Sequence, residues 1–269
     1  MKCHIPAALG AILLALAFAG PASAMVMTAT FDTNYTGAEQ ACAQAAINQW
    51  QSTITSATTF ANSVRFRIVD LGTTGILAST TIESGGYSAL MVEGEWLPTP
   101  PGGGGGGGGG SAVTPWDIST FVTIDLNSER VDAGDFSFVG PSDPVVGGKY
   151  DALTIFRHEL CHAVGFSATY TDFAAKVTPV PDPYRTYTGT GNSFTVELTG
   201  AANGTHVLGN TDLMSAALGT GVRRDISSDP DLEVLMDAYG YTTPEPATLA
   251  FVAIGLASVV AARRRRRAA

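Results

Sequence analysis

The stretch DALTIFRHELCHAVG, residues 151–165, decides the fold. Its first residue is an aspartate, which can accept hydrogen bonds from the first turn of a helix. Its last residue, Gly165, is of the type that ends helices in a left-handed conformation. The sequence therefore predicts a helix over residues 152–164. His158 and His162 lie four positions apart in it, so both imidazoles project from one face, a single turn apart.

The two histidines and the glutamate between them form a pattern typical of a zinc site. Imidazole nitrogens one turn apart can reach the same tetrahedral zinc ion. Glu159 lies beside that face, where its carboxylate can act as a general base without binding the metal. The alternative is a surface helix whose histidines only titrate in solvent.

A catalytic zinc needs a third protein ligand and one open position for water. The chain has 4 histidines, and His4 lies in a predicted leader, so His206 is the remaining imidazole. Three carboxylates compete for the role: Asp172, Glu197 and Asp212. We expect His206, because imidazole suits zinc and a second signal follows it.

That second signal is DLMS, residues 212–215, which places Met214 eight residues after His206. Together with HELCHAVGFS, residues 158–167, this order resembles the metzincin clan of zinc endopeptidases, and within it the leishmanolysin-like branch. The resemblance implies an α+β fold with a twisted mixed sheet and an active-site helix, followed by a smaller C-terminal subdomain. It also implies that Met214 lies beneath the zinc and that Gly165 is a structural turn.

Two positions depart from the commoner metzincin pattern. The usual third histidine would come three residues after the glycine, where Ala168 stands. In the leishmanolysin-like branch an insertion separates the two, and residues 168–204 would be such an insertion. The tyrosine that some metzincins place after the turn methionine is replaced by Ala216. A phenol that stabilises an oxyanion would then come from elsewhere, with Tyr184 or Tyr187 as candidates and simple packing as their alternative.

The first 24 residues have the pattern of a cleaved secretory signal peptide. Lys2 precedes an apolar run over residues 7–19, and Ala22-Ser23-Ala24 closes it. The apolar run is shorter than a bilayer span, which favours cleavage over an uncleaved membrane anchor. We expect export, with signal peptidase as a processing partner.

The last 27 residues, 243–269, carry a second targeting pattern. Pro244, Glu245 and Pro246 precede sixteen largely apolar residues and then five arginines. This order resembles the PEP-CTERM sorting signal of bacterial exported proteins. The resemblance implies recognition by an exosortase, transient membrane association through the apolar segment, and a cell-surface or extracellular destination. An ordinary single-pass C-terminal anchor is the alternative.

Charge and composition limit the classes of partner. The chain has 15 basic and 24 acidic residues, and five of the basic ones stand in the tail, so the predicted domain over residues 25–242 is strongly acidic. Binding to nucleic acid depends on lysine and arginine, so we expect no nucleic-acid partner. The hydrophobic content of 45% is enough for a packed core, and we expect a monomer.

Periodicity predicts further elements around the central helix. Strands are predicted over residues 28–31, 63–69 and 121–126, and helices over residues 37–53 and 229–238.

The sequence has two further features. Residues 97–114, with three prolines and nine consecutive glycines, read as a flexible insertion. Cys42 and Cys161 form either a disulfide or two buried thiols.

The sequence therefore predicts an exported zinc metalloendopeptidase acting on protein or peptide substrates. His158, His162 and His206 would hold Zn²⁺, and Glu159 would act as general base towards a zinc-activated water and then as proton donor to the leaving amine. Two alternatives remain: a non-catalytic, zinc-stabilised protein of the cell surface or extracellular matrix, and a zinc hydrolase acting on a non-peptide amide.

Overall fold

The computed structural model describes residues 23–56, 61–72, 75–82, 87–93, 121–168, 170–179, 184–199, 206–226 and 230–243. The insertion predicted over residues 97–114, the apolar run of the signal peptide and the sorting tripeptide lie outside these ranges. Within them, none of the helices combines the length and apolarity needed to span a membrane.

The described elements give a mixed α+β architecture. The strands are β1 (Ser23–Ala24), β2 (Val26–Phe31), β3 (Thr55–Ser56), β4 (Ala61–Val69), β5 (Ile76–Ile82), β6 (Tyr87–Glu93), β7 (Phe121–Asn127), β8 (Phe136–Ser137), β9 (Tyr150–Asp151), β10 (Val177–Pro179), β11 (Tyr184–Thr188), β12 (Thr195–Thr199), β13 (His206–Val207) and β14 (Ala217–Leu218). The helices are α1 (Gly37–Thr53), α2 (Ser128–Asp132), α3 (Ala152–Ala163), α4 (Thr171–Ala174) and α5 (Asp231–Tyr239), with a 3₁₀ turn at Thr190–Asn192.

The main sheet has six strands in the order β14-β6-β5-β7-β4-β2. Strands β2, β4 and β7 run parallel, whereas β5 is antiparallel to both of its neighbours. In β4, buried Val64 and Phe66 alternate with Arg65 and Arg67, as the sequence pattern predicts. The three predicted strands are confirmed, each somewhat longer than its apolar pattern.

Helices α1 and α3 cover one face of this sheet. The Phe156 ring of α3 meets Phe66 of β4 edge-on, with centroids 5.6 Å apart. The indole Nε1 of Trp50, from α1, donates a hydrogen bond to the carbonyl oxygen of Arg157 at 2.9 Å. The helices predicted over residues 37–53 and 152–164 are confirmed within one residue, and the one predicted over residues 229–238 is found as α5. The disulfide option is wrong, since Cys42 and Cys161 are separate buried thiols.

A second, antiparallel sheet has the order β10-β11-β12-β13. Its first three strands are built from residues that the sequence predicts only as an insertion between Gly165 and His206. Register pairs Thr199 of β12 with His206 of β13. The inserted stretch therefore delivers this histidine on the last strand of a sheet.

The two predicted ends of the domain meet at one residue of β3. Ala24 of β1 pairs with Thr55. On its other side, Thr55 exchanges backbone hydrogen bonds of 2.7 and 2.9 Å with Thr242. The predicted signal cleavage site and the start of the predicted sorting segment therefore lie at the same edge of the domain.

Candidate metal centre

The N-terminal end of α3 is fixed by buried polar contacts. The Asp151 carboxylate accepts hydrogen bonds from the backbone N–H of Thr154 at 3.2 Å and from its hydroxyl at 2.7 Å. Arg223 adds a two-pronged ion pair to the same carboxylate, with N–O distances of 2.9 and 2.8 Å. The cap was predicted from the sequence, but its arginine partner was not.

Arg157 ties the middle of α3 to two other parts of the chain. Its guanidinium donates to Gln49 Oε1 on α1 at 2.7 Å and to the carbonyl oxygen of Arg224 at 2.5 Å. It also pairs with Asp225 at 3.2 Å. Because these contacts hold the helix on both sides, the direction in which its histidines point is set by the fold.

The two helical histidines are oriented by backbone carbonyl groups. His158 Nδ1 donates to the carbonyl oxygen of Leu213 at 2.7 Å, and His162 Nδ1 donates to that of Phe166 at 2.7 Å. A carbonyl oxygen can only accept, so the proton of each neutral ring is on Nδ1 and the lone pair is on Nε2. In metal sites, a ligating histidine commonly donates its other ring N–H to such an acceptor, and this contact fixes the orientation of the ring.

His206 completes a cluster of three imidazoles. Its ring centroid lies 5.2 Å from that of His158 and 5.1 Å from that of His162. One ring nitrogen from each of the three residues lies within 4.8 Å of the others. All three side chains are buried. The structure thus brings together three residues that could hold a metal ion. In the sequence, His206 stands 44 positions after His162.

The donor set fits a divalent metal. The buried Nε2 atom of His158 accepts no hydrogen bond from any residue that the structure describes. Burial lowers the pKa of all three histidines, that of His162 to about 4. Neutral imidazole is the form that binds metal. The competing carboxylates Asp172, Glu197 and Asp212 are not members of this cluster.

Glu159 lies between the two helical histidines and is fully buried. The hydroxyl of Thr80, on β5, donates to its Oε2 at 2.5 Å, whereas Oε1 is buried without a hydrogen bond to the described residues. Burial raises the pKa of Glu159 to about 8, against the opposing effect of the Thr80 hydrogen bond. The residue can therefore exchange a proton near neutral pH.

The turn that contains Met214 is hydrogen-bonded to both elements that carry the histidines. The carbonyl oxygen of Met214 accepts a hydrogen bond from the N–H of Val207, next to His206, at 2.9 Å. Its own N–H donates to Asp231 Oδ2 at 3.3 Å. The preceding Leu213 is the acceptor for His158. Met214 itself is fully buried.

Gly165 follows α3 with φ of +132°, and a Cβ there would overlap the ring of Tyr239. Three phenols donate to the carbonyl groups at this end of the helix: Tyr170 to Ala163, Tyr241 to Val164 and Tyr239 to Gly165, at 2.9, 3.0 and 2.7 Å. These are carbonyls that a helix end leaves without an intrahelical partner. This capping by tyrosines is not predicted by any sequence pattern.

The two tyrosines considered for oxyanion stabilisation differ in environment. Tyr184 is exposed. The Tyr187 hydroxyl donates to Asp237 Oδ2 on α5 at 2.8 Å. This contact supports the alternative given for Tyr187, a structural role in packing.

A cavity of about 400 Å³ lies beside the strand that carries His206. Its lining includes Thr199, the register partner of His206, and residues on either side of the methionine turn. The full lining consists of Thr199, Leu208, Gly209, Asn210, Ala216 and Ala217.

Thr242, which pairs with Thr55, begins the segment for which similarity to a known family is found. Residues 242–267 match the PEP-CTERM protein-sorting motif. The predicted sorting signal is thereby confirmed. The motif implies recognition by an exosortase-type sorting enzyme, export, and a surface or extracellular destination. No curated protein and no solved structure matches the chain.

Proposed function

We propose that this protein is an exported zinc metalloendopeptidase of the metzincin type, closest to the leishmanolysin-like branch. The observation that carries the proposal is the cluster of His158, His162 and His206 with Glu159 beside it. One ring nitrogen of each histidine lies within 4.8 Å of the others.

The chemistry of the donors favours zinc. Neutral imidazoles are good zinc ligands, whereas magnesium and calcium prefer oxygen donors. Three protein ligands are also the number used by catalytic zinc sites, which keep one position open. When bound, zinc acts as a Lewis acid that lowers the pKa of a water molecule and polarises a carbonyl group.

Glu159 is the residue that moves protons in this proposal. Its Oε1, which accepts no hydrogen bond from the part of the chain that the structure describes, accepts the proton of the attacking water. The same carboxyl group then delivers that proton to the nitrogen of the departing amine. Burial raises the pKa of Glu159, which helps the carboxyl group to hold the proton until it is delivered.

The order of the remaining elements supports the leishmanolysin-like branch. His206 stands on β13, at the end of the antiparallel sheet that follows Gly165. The turn at Met214 then bonds to the residue after His206. An insertion before the third ligand, followed by a methionine turn, is the arrangement that this branch implies.

The test is hydrolysis of casein by the zinc-loaded full chain. Glu159→Gln should lower turnover by roughly a hundredfold or more, while the zinc content stays at the parent value. Glu197→Gln is the matched control, because Glu197 is an exposed glutamate on β12 and should leave both quantities unchanged. Equal turnover by the Glu159→Gln variant and the parent would contradict the mechanism.

One observation favours a second candidate, a non-catalytic surface protein stabilised by zinc. The side chains of His158, Glu159 and His162 are fully buried, which resembles the closed environment of a structural metal site. A zinc-dependent rise in Tm without cleavage of casein or of an unfolded protein would select this candidate.

A further inference from the structure

Thr80 is a polar residue in an otherwise apolar row. Register pairs it with Ile124 across the β5–β7 interface, on the sheet face that α3 covers. The other side chains of β5 and β7 that share this face by register and alternation are aliphatic: Ala78, Ile82, Val122, Ile124 and Leu126. A hydroxyl buried in such a row is costly unless it is hydrogen-bonded.

The partner of this hydroxyl is Glu159. Thr80 Oγ1 lies 2.5 Å from Glu159 Oε2 and 3.1 Å from the carbonyl oxygen of the same residue. Both side chains are fully buried. One carboxylate oxygen is therefore fixed to the sheet, and this fixes the rotation of the carboxyl group that presents Oε1.

We propose that Thr80 is a positioning residue that holds the Glu159 carboxylate in the orientation needed for proton transfer. The catalytic part of this inference rests on the proposed peptidase function. Without the hydroxyl, the carboxyl group can rotate away from the geometry that proton transfer requires. In this role the threonine acts through Glu159.

Kinetics of zinc-loaded Thr80→Val and Thr80→Ser test the role. Thr80→Val keeps the shape and the β-branched character of the side chain but removes the hydroxyl. Its kcat on casein-derived peptides should fall roughly ten- to a hundredfold, with KM and zinc content unchanged. Thr80→Ser should restore kcat to within about threefold of the parent, because the hydroxyl returns.

Thr81→Val is the matched control. It makes the same change one position along β5, on the opposite face of the sheet, and should leave kcat at the parent value. Parent-like kcat in Thr80→Val, or a Thr80→Ser variant as slow as Thr80→Val, would overturn the catalytic part.

A second measurement does not depend on activity. In the metal-free full chain, Thr80→Val should lower Tm by several degrees, because it leaves a buried carboxyl oxygen without its donor. In a Glu159→Met background the same substitution should cause a clearly smaller loss, because the carboxylate is absent and only the contact with the backbone carbonyl oxygen of residue 159 remains to be removed. Equal losses in the two backgrounds would overturn the contact. If the parent hydrolyses nothing, the peptidase proposal fails, and this cycle still decides whether Thr80 holds Glu159.

Discussion

His158 Nδ1 donates a hydrogen bond to the carbonyl oxygen of Leu213 at 2.7 Å. The next residue, Met214, is bonded through its carbonyl oxygen to Val207 and through its N–H to Asp231. The turn therefore joins the helix that carries two histidines to the strand that carries the third. Three histidines supplied by two separate elements depend on this turn for their mutual position.

We predict that Asp231→Ala weakens zinc binding. The substitution removes the acceptor for the Met214 N–H and loosens the turn that holds both histidine-bearing elements. Contacts behind metal ligands contribute about tenfold or more in affinity, and a loss of that size is expected in competition with a chromogenic chelator. Glu233→Ala is the control, because Glu233 is an exposed acidic residue of the same helix. A zinc affinity of Asp231→Ala equal to that of Glu233→Ala would contradict the prediction.

Gly165→Ala should destabilise the protein more than Gly209→Ala. Both glycines have positive φ, +132° and +126°, so both substitutions strain the backbone. Only at Gly165 would the new Cβ also overlap a side chain, that of Tyr239. We expect a loss of about 1 kcal/mol at Gly209 and roughly 2 kcal/mol more at Gly165, measured by urea unfolding. Equal losses at the two glycines would show that the Tyr239 ring can move aside without loss of stability.

Arg223→Met should lower the free energy of unfolding by about 3 kcal/mol, because it leaves a buried charge without its partner. The charge is that of Asp151, which caps α3 and is fully buried. Combining the change with Asp151→Asn should recover part of the loss, since the uncompensated charge is then gone. Additive losses in the double variant would argue against this account.

The ionisation of Asp237 makes the stability of the folded protein depend on pH in the acid range. Burial alone would raise its pKa, but hydrogen bonds from Lys176, Thr190 and Tyr187 outweigh this effect and hold the pKa below its usual range. A folded-state pKa below the unfolded value gives stability that is present above about pH 4 and is lost as pH falls through the folded value. The Tm difference between the parent and Asp237→Asn should therefore shrink steadily below about pH 4. A difference that stays constant from neutral pH to pH 2 would contradict the assignment.

The local patterns predicted much of the candidate site. The helix over residues 152–163, its aspartate cap and the common face of His158 and His162 follow from contacts within about four residues, which spacing alone encodes. The grouping of His206 with this pair came from counting histidines and from the methionine turn, and the structure places all three together.

The contacts between distant segments were not predicted. Thr80 stands 79 positions before Glu159, and its role depends on the register of β5 against β7. Tyr241 reaches Val164 across 77 positions. The strands of the second sheet before His206 are not predicted from the sequence, because each is at most five residues long. Single-sequence patterns hold no information about such pairings.

Zinc binding by the parent chain and by His206→Ala, with Asp212→Asn as the control, tests the central claim most directly. The parent and the control should each bind one zinc per chain with the same affinity, and His206→Ala should lose at least about tenfold in chelator competition. X-ray absorption of the zinc-loaded parent should show nitrogen neighbours at about 2.0 to 2.1 Å. Parent-like affinity in His206→Ala would contradict a site shared by the helix and the strand.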